Sequence, residues 1–231
     1  LPMPQNISPV LLQLVQVGVT KPAYPFHIRP QNAGHLLVDI AWSTETEYAV
    51  VCQALASSYL NSYARWRFGT EAMVGVPDWL ELAFGQMLMT SIQPALLDEM
   101  ALRATEDAPL PLDQLLGAAS PFSFNQEQIE LNSFWLLRIL QDETPSSIFP
   151  QLLARLVAGG SIESQKDAFR IAIDMTALSG WELEVWWATA FQNTVRSRLP
   201  AFQSMEQSRQ NILELAFITA KIKGEDRRLA I

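Results

Sequence analysis

The stretch that decides the fold is residues 50–60, which read V-V-C-Q-A-L-A-S-S-Y-L. Its apolar residues recur every three or four positions, which predicts an amphipathic helix. The same spacing continues to Phe68, and Gly69 is a suitable residue to end the helix. We expect two adjacent rows to form one wide buried face: Val51, Leu55, Tyr59 and Tyr63 in the first, and Cys52, Ala56, Leu60 and Ala64 in the second.

The polar segment before this helix predicts where it begins. Ser43 or Thr44 is the expected N-cap, because a hydroxyl there accepts from free backbone N–H groups. Glu45 and Glu47 are then expected in the first turn, where the helix dipole favours carboxylates. This dipole role explains the two glutamates better than an acid/base pair does.

Three segments upstream of the helix predict β-strands. Residues 10–19 are rich in valine and leucine, residues 35–42 read H-L-L-V-D-I-A-W, and residues 26–29 alternate between apolar and polar. Prolines and glycines lie between these segments. Two or three strands make a small sheet that must pack on helices to be stable.

The rest of the chain predicts helices. Residues 76–88 read V-P-D-W-L-E-L-A-F-G-Q-M-L, in which Pro77 opens a helix. Further helices are predicted at residues 94–103, 111–116, 126–140, 146–157, 164–175, 181–198 and 203–223. Strands followed by helices predict an α+β fold, with a small N-terminal sheet and then a mostly helical domain. We expect one domain, with strands mainly in residues 1–42, helices in 43–198, and a C-terminal helix and tail in 199–231.

Composition excludes several classes of protein. The 231 residues are 49% hydrophobic and 17% charged, which is too apolar for a disordered chain. The net charge of −8 and the absence of a basic cluster argue against nucleic acid as a partner. The apolar runs fall short of the roughly 20 residues that a membrane helix needs, so no membrane span is predicted. The sequence begins at Leu1, which leaves open a secreted or cell-envelope protein after removal of a signal peptide.

The order of several segments is informative about family. After residues 50–60 and 76–88 come L-P-L-D-Q-L-L at 110–116, E-L-N-S-F-W-L-L-R-I-L at 130–140 and L-L-A-R-L-V-A-G-G at 152–160. This succession resembles the gluzincin-like zinc metallopeptidases of the peptidase-MA-like kind. Those proteins carry H-E-x-x-H on the first helix, P-x-W-L-x-E-G on the second, and often L-P-L-x-x-L and Y-x-Q-S further on. The resemblance covers about residues 36–191 and implies a zincin-like helical part.

The resemblance places the catalytic positions on residues that do not support zinc chemistry. Gln53 stands at the first zinc histidine, Ala54 at the general-base glutamate, Ser57 at the second histidine and Leu82 at the third ligand. Catalytic zinc needs about three N, O or S ligands beside an open water position. Glutamine and serine are poor ligands, leucine is none, and alanine cannot take a proton from bound water. We therefore predict no catalytic residue, no metal and no cofactor.

What remains of the family pattern is mostly scaffold. Pro77, Trp79 and Leu80 are kept on the second helix. In the Y-x-Q-S segment only Ser133 is kept, with Glu130 at the tyrosine position and Asn132 at the glutamine. The two histidines of the chain, His27 and His35, both lie in the predicted strands.

Several side chains near these positions are candidates for a cleft. Gln53 and Ser57 are one turn apart and make either a remodelled polar pocket or ordinary helix polarity, which we favour. Trp79, Glu81 and Ser133 are the other cleft candidates. Because successive helical residues point 100° apart, Glu81 is expected to be a solvated surface residue. Cys52 is expected to be a buried, inert thiol.

Two aromatic or apolar segments near the C-terminus favour protein contacts. Trp186 and Trp187 point 100° apart, so at least one is expected to border a groove or an interface. The segment at residues 203–223 carries a strong apolar side, which packs on its own domain or forms a homo-oligomer.

Three functional readings follow from the sequence. The leading one is a non-catalytic metallopeptidase homologue, a pseudopeptidase that binds or scaffolds a protein or peptide. The second is an enzyme with rebuilt, metal-independent chemistry in the same cleft. The third is a helical protein-interaction module unrelated to peptidases.

Overall fold

A computed structural model describes residues 10–16, 25–30, 35–44, 46–69, 75–117, 126–176 and 178–198. The strands are β1 (Val10–Gln16), β2 (Phe26–Pro30) and β3 (Leu36–Trp42). The helices are α1 (Tyr48–Phe68), α2 (Asp78–Ile92), α3 (Ala95–Arg103), α4 (Leu112–Leu116), α5 (Gln126–Glu143), α6 (Phe149–Val157), α7 (Ile162–Ala172) and α8 (residues 180–198). The predicted α+β fold is confirmed. Glu45 and the predicted helix at 203–223 lie outside the described residues.

The sheet is centred on β3, the strand with the clearest alternation of buried and half-buried residues. The strand order is β1-β3-β2, so β3 lies between two strands that precede it in the chain. β1 runs parallel to β3 and β2 runs antiparallel to it. Val38 and Ile40 of β3 pack with Ala54 of α1, and this contact attaches the sheet to the helices.

The N-terminus of α1 differs from the prediction. The helix begins at Tyr48, and its N-cap Glu47 makes no capping hydrogen bond through its side chain. The Ser43 and Thr44 caps are therefore wrong, and the first turn contains no acidic residue. Instead the Ser43 N–H donates to Thr46 Oγ1 at 2.8 Å, because a hydroxyl so close in sequence stabilises a local turn in place of the helix. That turn joins β3 to α1.

Only one of the two predicted apolar rows of α1 is fully buried. Cys52, Ala56, Leu60 and Ala64 all lie in the core. In the other row Tyr63 is buried, Val51 and Tyr59 are half-buried, and Leu55 is 37% exposed. The sheet, α2 and α6 pack on α1, and of this row they cover Leu55 least. Burial raises the pKa of the Cys52 thiol, as expected for an inert cysteine.

The main core lies among the helices and is rich in aromatic rings. Trp135 and Trp187 are buried in it, and the Trp187 indole N–H donates to the Leu110 carbonyl at 2.8 Å. Trp186 is half-buried, and its N–H donates to Glu143 at 2.9 Å. The two neighbouring tryptophans of α8 face different environments, as their separation of 100° predicts, whereas a groove or interface at Trp186 stays a prediction.

A buried lysine ties three helices together. The ammonium of Lys166 on α7 lies 2.6 Å from Asp113 of α4 and 3.8 Å from Glu184 of α8. The second oxygen of Glu184 accepts the Leu112 N–H at the start of α4, at 2.9 Å. A buried charge of this kind requires its partners, so the cluster fixes α4 against α7 and α8.

No helix in the described part of the chain combines the length and the apolar character needed to cross a membrane. This agrees with the short apolar runs of the sequence.

Trp79 provides a test of how α2 is held. Its side chain is 1% exposed, and its partners are on α7: the indole N–H donates to Gln165 Oε1 at 2.8 Å and the ring meets Phe169 edge-on at 6.0 Å. Trp79→Ala is predicted to lower the free energy of unfolding by ~3–5 kcal/mol. Trp79→Phe keeps most of the packing but leaves Gln165 Oε1 without its indole donor, with an expected loss of about 1–3 kcal/mol in the free energy of unfolding.

The control is Trp181→Ala on α8, at a tryptophan that is 75% exposed. This variant is expected to change the free energy of unfolding, measured by chemical denaturation, by no more than about 0.5 kcal/mol. Equal losses for the two alanine variants would contradict the placement of Trp79.

Candidate functional site

The most extensive contact between two helices is that of α1 with α2. A Cβ added to Gly85 would lie 3.1 Å from the Cα of Gln53 and 3.4 Å from its Cβ. A larger residue would force the two backbones apart, so glycine permits this approach. Further along, Asn61 of α1 meets Glu81 of α2. Since residues later in α1 meet residues earlier in α2, the two helices run antiparallel.

Four polar residues line this contact, and we call them the polar seam: Gln53, Ser57, Asn61 and Glu81. The three on α1 are spaced four apart and therefore share one face. The Asn61 amide donates to Glu81 Oε1 at 2.7 Å and to the Ser57 carbonyl at 2.9 Å. The Ser57 side chain is 1% exposed. Its hydroxyl favours the charged form of Glu81, although its geometry falls short of a hydrogen bond.

Glu81 is not the solvated surface residue that the sequence predicts. Burial raises the pKa of its carboxyl group, and the nearby Asp78 carboxylate raises it further. Ser57 and Asn61 act in the opposite direction, because they stabilise the charged form. The prediction of a solvated Glu81 is wrong because α2 turns Glu81, rather than Leu82, toward the polar face of α1.

The two other positions from the family pattern point elsewhere. Leu82 is 5% exposed and belongs to the main helical core. Ala54 is fully buried and packs on Val38 and Ile40 of the sheet. The position assigned to the general base is thus covered by β3.

The remaining cleft candidates do not join the polar seam. Trp79 directs its N–H to α7. Ser133 is fully buried in α5, and its hydroxyl has no hydrogen-bond partner within the described ranges. The structure therefore unites Gln53, Ser57 and Glu81, whereas Trp79 and Ser133 serve the core.

A second half-buried carboxylate lies between α2 and α5. Glu130 accepts hydrogen bonds from Gln126 at 2.8 Å and from Gln86 at 3.2 Å. Burial raises its pKa, with Glu127 adding to the effect and Arg103 opposing it. In the sequence, Glu130 stands out only as a departure from the tyrosine of the gluzincin pattern.

The polar seam is a poor fit for a catalytic metal. It offers one carboxylate, two amides and a hydroxyl, whereas zinc in proteins takes histidine, cysteine and carboxylate ligands. In the part of the chain that the structure describes, no three His, Cys, Asp or Glu residues converge. His27 lies in β2 opposite Asp39 of β3, away from α1 and α2.

The sequence patterns described above single out neither Asn61 nor Gly85. Asn61 had a detectable signal, since it continues the spacing of Gln53 and Ser57 by one more turn. Gly85 had none, because a glycine inside a helix shows its role only when the neighbouring backbone is known.

Searches with family models, among curated proteins and among solved structures found no match for this chain. The resemblance to gluzincin-like peptidases therefore stays a prediction that rests on the segments quoted above.

The polar seam generates a prediction about pH. The raised pKa of Glu81 means that the folded protein keeps a proton that the unfolded chain releases above the ordinary glutamate value. The contribution of Glu81 to stability is therefore largest in acid and is lost as the pH rises through the raised pKa. Glu81→Gln stays neutral and keeps an oxygen for Asn61, so it is predicted to raise the melting temperature at neutral pH but not in acid.

The measurement is thermal unfolding from about pH 4 to about pH 8, which spans the ordinary range of glutamate and the region above it. Glu99→Gln, at an exposed position of α3, is the control for the loss of one negative charge. A Glu81→Gln protein that becomes less stable than wild type as the pH rises would show that the ionised carboxylate is stabilising.

Proposed function

We propose that the protein is a non-catalytic homologue of the gluzincin metallopeptidases, a pseudopeptidase that binds a protein or peptide partner. The observation that carries the proposal is the close contact of α1 with α2 at the former catalytic positions. Ala54 lies under the sheet, Leu82 lies in the core, and Gln53 abuts Gly85. A hydrolase needs a substrate and an activated water at these positions, and the packing supports a structural role instead.

The polar residues that remain fit the same proposal. Asn61 holds the Glu81 carboxylate, and burial favours its neutral form. A carboxyl group that is hydrogen-bonded to an amide stabilises the contact between two helices.

The outward side of α1 is the surface that we assign to the partner. Tyr48, Leu55 and Trp66 are 49%, 37% and 45% exposed. Their spacing of 7 and 11 residues places them on one side of the helix. We call this row the outer stripe, and an amphipathic peptide with apolar side chains at helical spacing would cover it.

One observation favours the rival enzyme with rebuilt chemistry. A carboxyl group with a raised pKa beside a serine hydroxyl is an arrangement that active sites use. If the protein is instead an enzyme with rebuilt chemistry, Glu81→Gln and Ser57→Ala would each abolish its catalytic turnover. Under our proposal they change stability and leave binding at the outer stripe intact.

Metal binding tests the family assignment. Wild-type protein is predicted to hold less than one tightly bound zinc per chain after dialysis, and a chelator should not lower its melting temperature. The pair Gln53→His and Ser57→His should create two ligands facing Glu81. This double variant should bind zinc at least about tenfold more tightly than the same variant with Glu81→Gln.

Adding Leu82→Glu to the double variant tests the position that the family pattern assigns as third ligand. We expect no gain, because Leu82 faces the core. Hydrolysis should stay absent in all these variants, since Ala54 supplies no base. Stoichiometric zinc on the wild-type protein would contradict the proposal.

Peptide binding tests the outer stripe. A peptide selected on the immobilised wild-type protein is titrated against Leu55→Lys, which should weaken binding at least about tenfold, or about 1.4 kcal/mol. Leu102→Lys on α3 is the matched control, because Leu102 is 39% exposed and Leu55 is 37% exposed. Equal affinities for the two variants would place the partner elsewhere.

A further inference from the structure

We propose that β1 pairs antiparallel with the β1 strand of a second copy of this chain, joining the two three-stranded sheets into one continuous sheet across a two-fold axis. This surface is separate from the outer stripe, so the inference does not depend on the proposed function. The occupant is a second copy, and the contact is made by main-chain hydrogen bonds together with four apolar side chains from each strand.

β1 has one open edge in the described part of the chain. Within the described ranges β1 has one neighbouring strand, β3, and the other edge presents N–H and C=O groups without a strand partner. Proteins usually protect such an edge with a charge, a proline or a bulge. The seven residues of β1, V-L-L-Q-L-V-Q, contain no charge and no proline.

Apolar side chains are exposed on both sides of β1. Leu12 and Leu14 pair with Val38 and Ile40 in the register and therefore face the α1 side of the sheet. They are nevertheless 50% and 57% exposed. Leu11 and Val15 face the other side and are 50% and 40% exposed. An added strand at this edge would shield all four, because residues of neighbouring strands pack side by side on both faces.

The sequence of β1 at residues 11–15 is nearly symmetric about Gln13. Antiparallel pairing centred there sets Leu12 opposite Leu14 of the second copy, and Leu11 opposite Val15. The two Gln13 side chains then meet on the axis, where amides donate and accept in equal number. A two-fold interface requires this self-complementarity, since both copies use the same patch.

The lack of charge on β1 removes one obstacle to pairing with a second copy. The whole chain carries a net charge of −8, so two copies repel each other over most of their surfaces. β1 carries no charge, and antiparallel pairing brings no like charges opposite each other in the strand.

The experiment measures the mass of the full chain by light scattering and sedimentation over a range of protein concentrations. Wild type is expected to form a dimer whose fraction rises with concentration. Leu12→Lys and Leu14→Glu should each raise the dimer dissociation constant at least about tenfold, because a charge then faces a leucine of the other copy. Leu102→Lys on α3, at similar exposure, should leave the dissociation constant within about twofold of wild type.

The double variant Leu12→Lys/Leu14→Glu tests the register. In the pairing centred on Gln13, this variant sets a lysine opposite a glutamate twice in each dimer. Its dimer dissociation constant should therefore be lower than that of either single variant. Circular dichroism checks that each variant remains folded. A double variant no more dimeric than the single ones would overturn the register and with it the proposal.

A crosslink provides a second measurement. Gln13→Cys should oxidise to a covalent dimer, because the axis brings the two positions together, whereas Leu11→Cys should not. Cys52 is buried and does not interfere. A wild-type protein that stays monomeric at all concentrations overturns the proposal. That result is also expected if residues 199–231 or an unrelated peptide, rather than a second copy, pairs with the edge of β1. Equal crosslinking at both positions overturns it as well.

Discussion

The close contact between Gln53 of α1 and Gly85 of α2 is the constraint on which the rest of the described structure depends. α1 packs on the sheet with one side and on α2 with another, and α2 in turn packs on α5. Because backbones can approach so closely only at glycine, the contact fixes the position of α2 along α1. The opposing pair of Asn61 and Glu81 then follows from the antiparallel direction of the helices.

The same contact explains the chemistry of the polar seam. Two helices that lie so near exclude water between them, and a carboxyl group in that space loses solvation. Glu81 keeps its proton more firmly for this reason, although Asn61 and Ser57 partly compensate. A half-buried acid at a helix crossing is thus explained by packing, and its presence does not require a catalytic role.

The exposed apolar surfaces have a common geometric cause. α1 lies over β3, where Ala54 contacts Val38 and Ile40, and it leaves Leu12 and Leu14 of β1 at least half exposed. α2 and α6 also pack on α1, but they leave Leu55, Tyr48 and Trp66 between 37% and 49% exposed. A small sheet and a single covering helix therefore leave both an open strand edge and an open helix side, and each is suited to a different kind of contact.

The sequence by itself determined most of the elements and the α+β order, and it showed that Gln53 and Ser57 are side chains of a kind that binds zinc poorly. Strand alternation, helical spacing and ligand chemistry are local properties, so they can be read along the chain. Only the tertiary structure decided that Glu81 faces α1 and that Ala54 lies under the sheet. Each residue of a helix turns its side chain by 100°, so neighbouring residues meet different surroundings. Which side of a helix meets a partner is set by contacts such as Gly85 with Gln53, which are distant in sequence and leave no periodic signal.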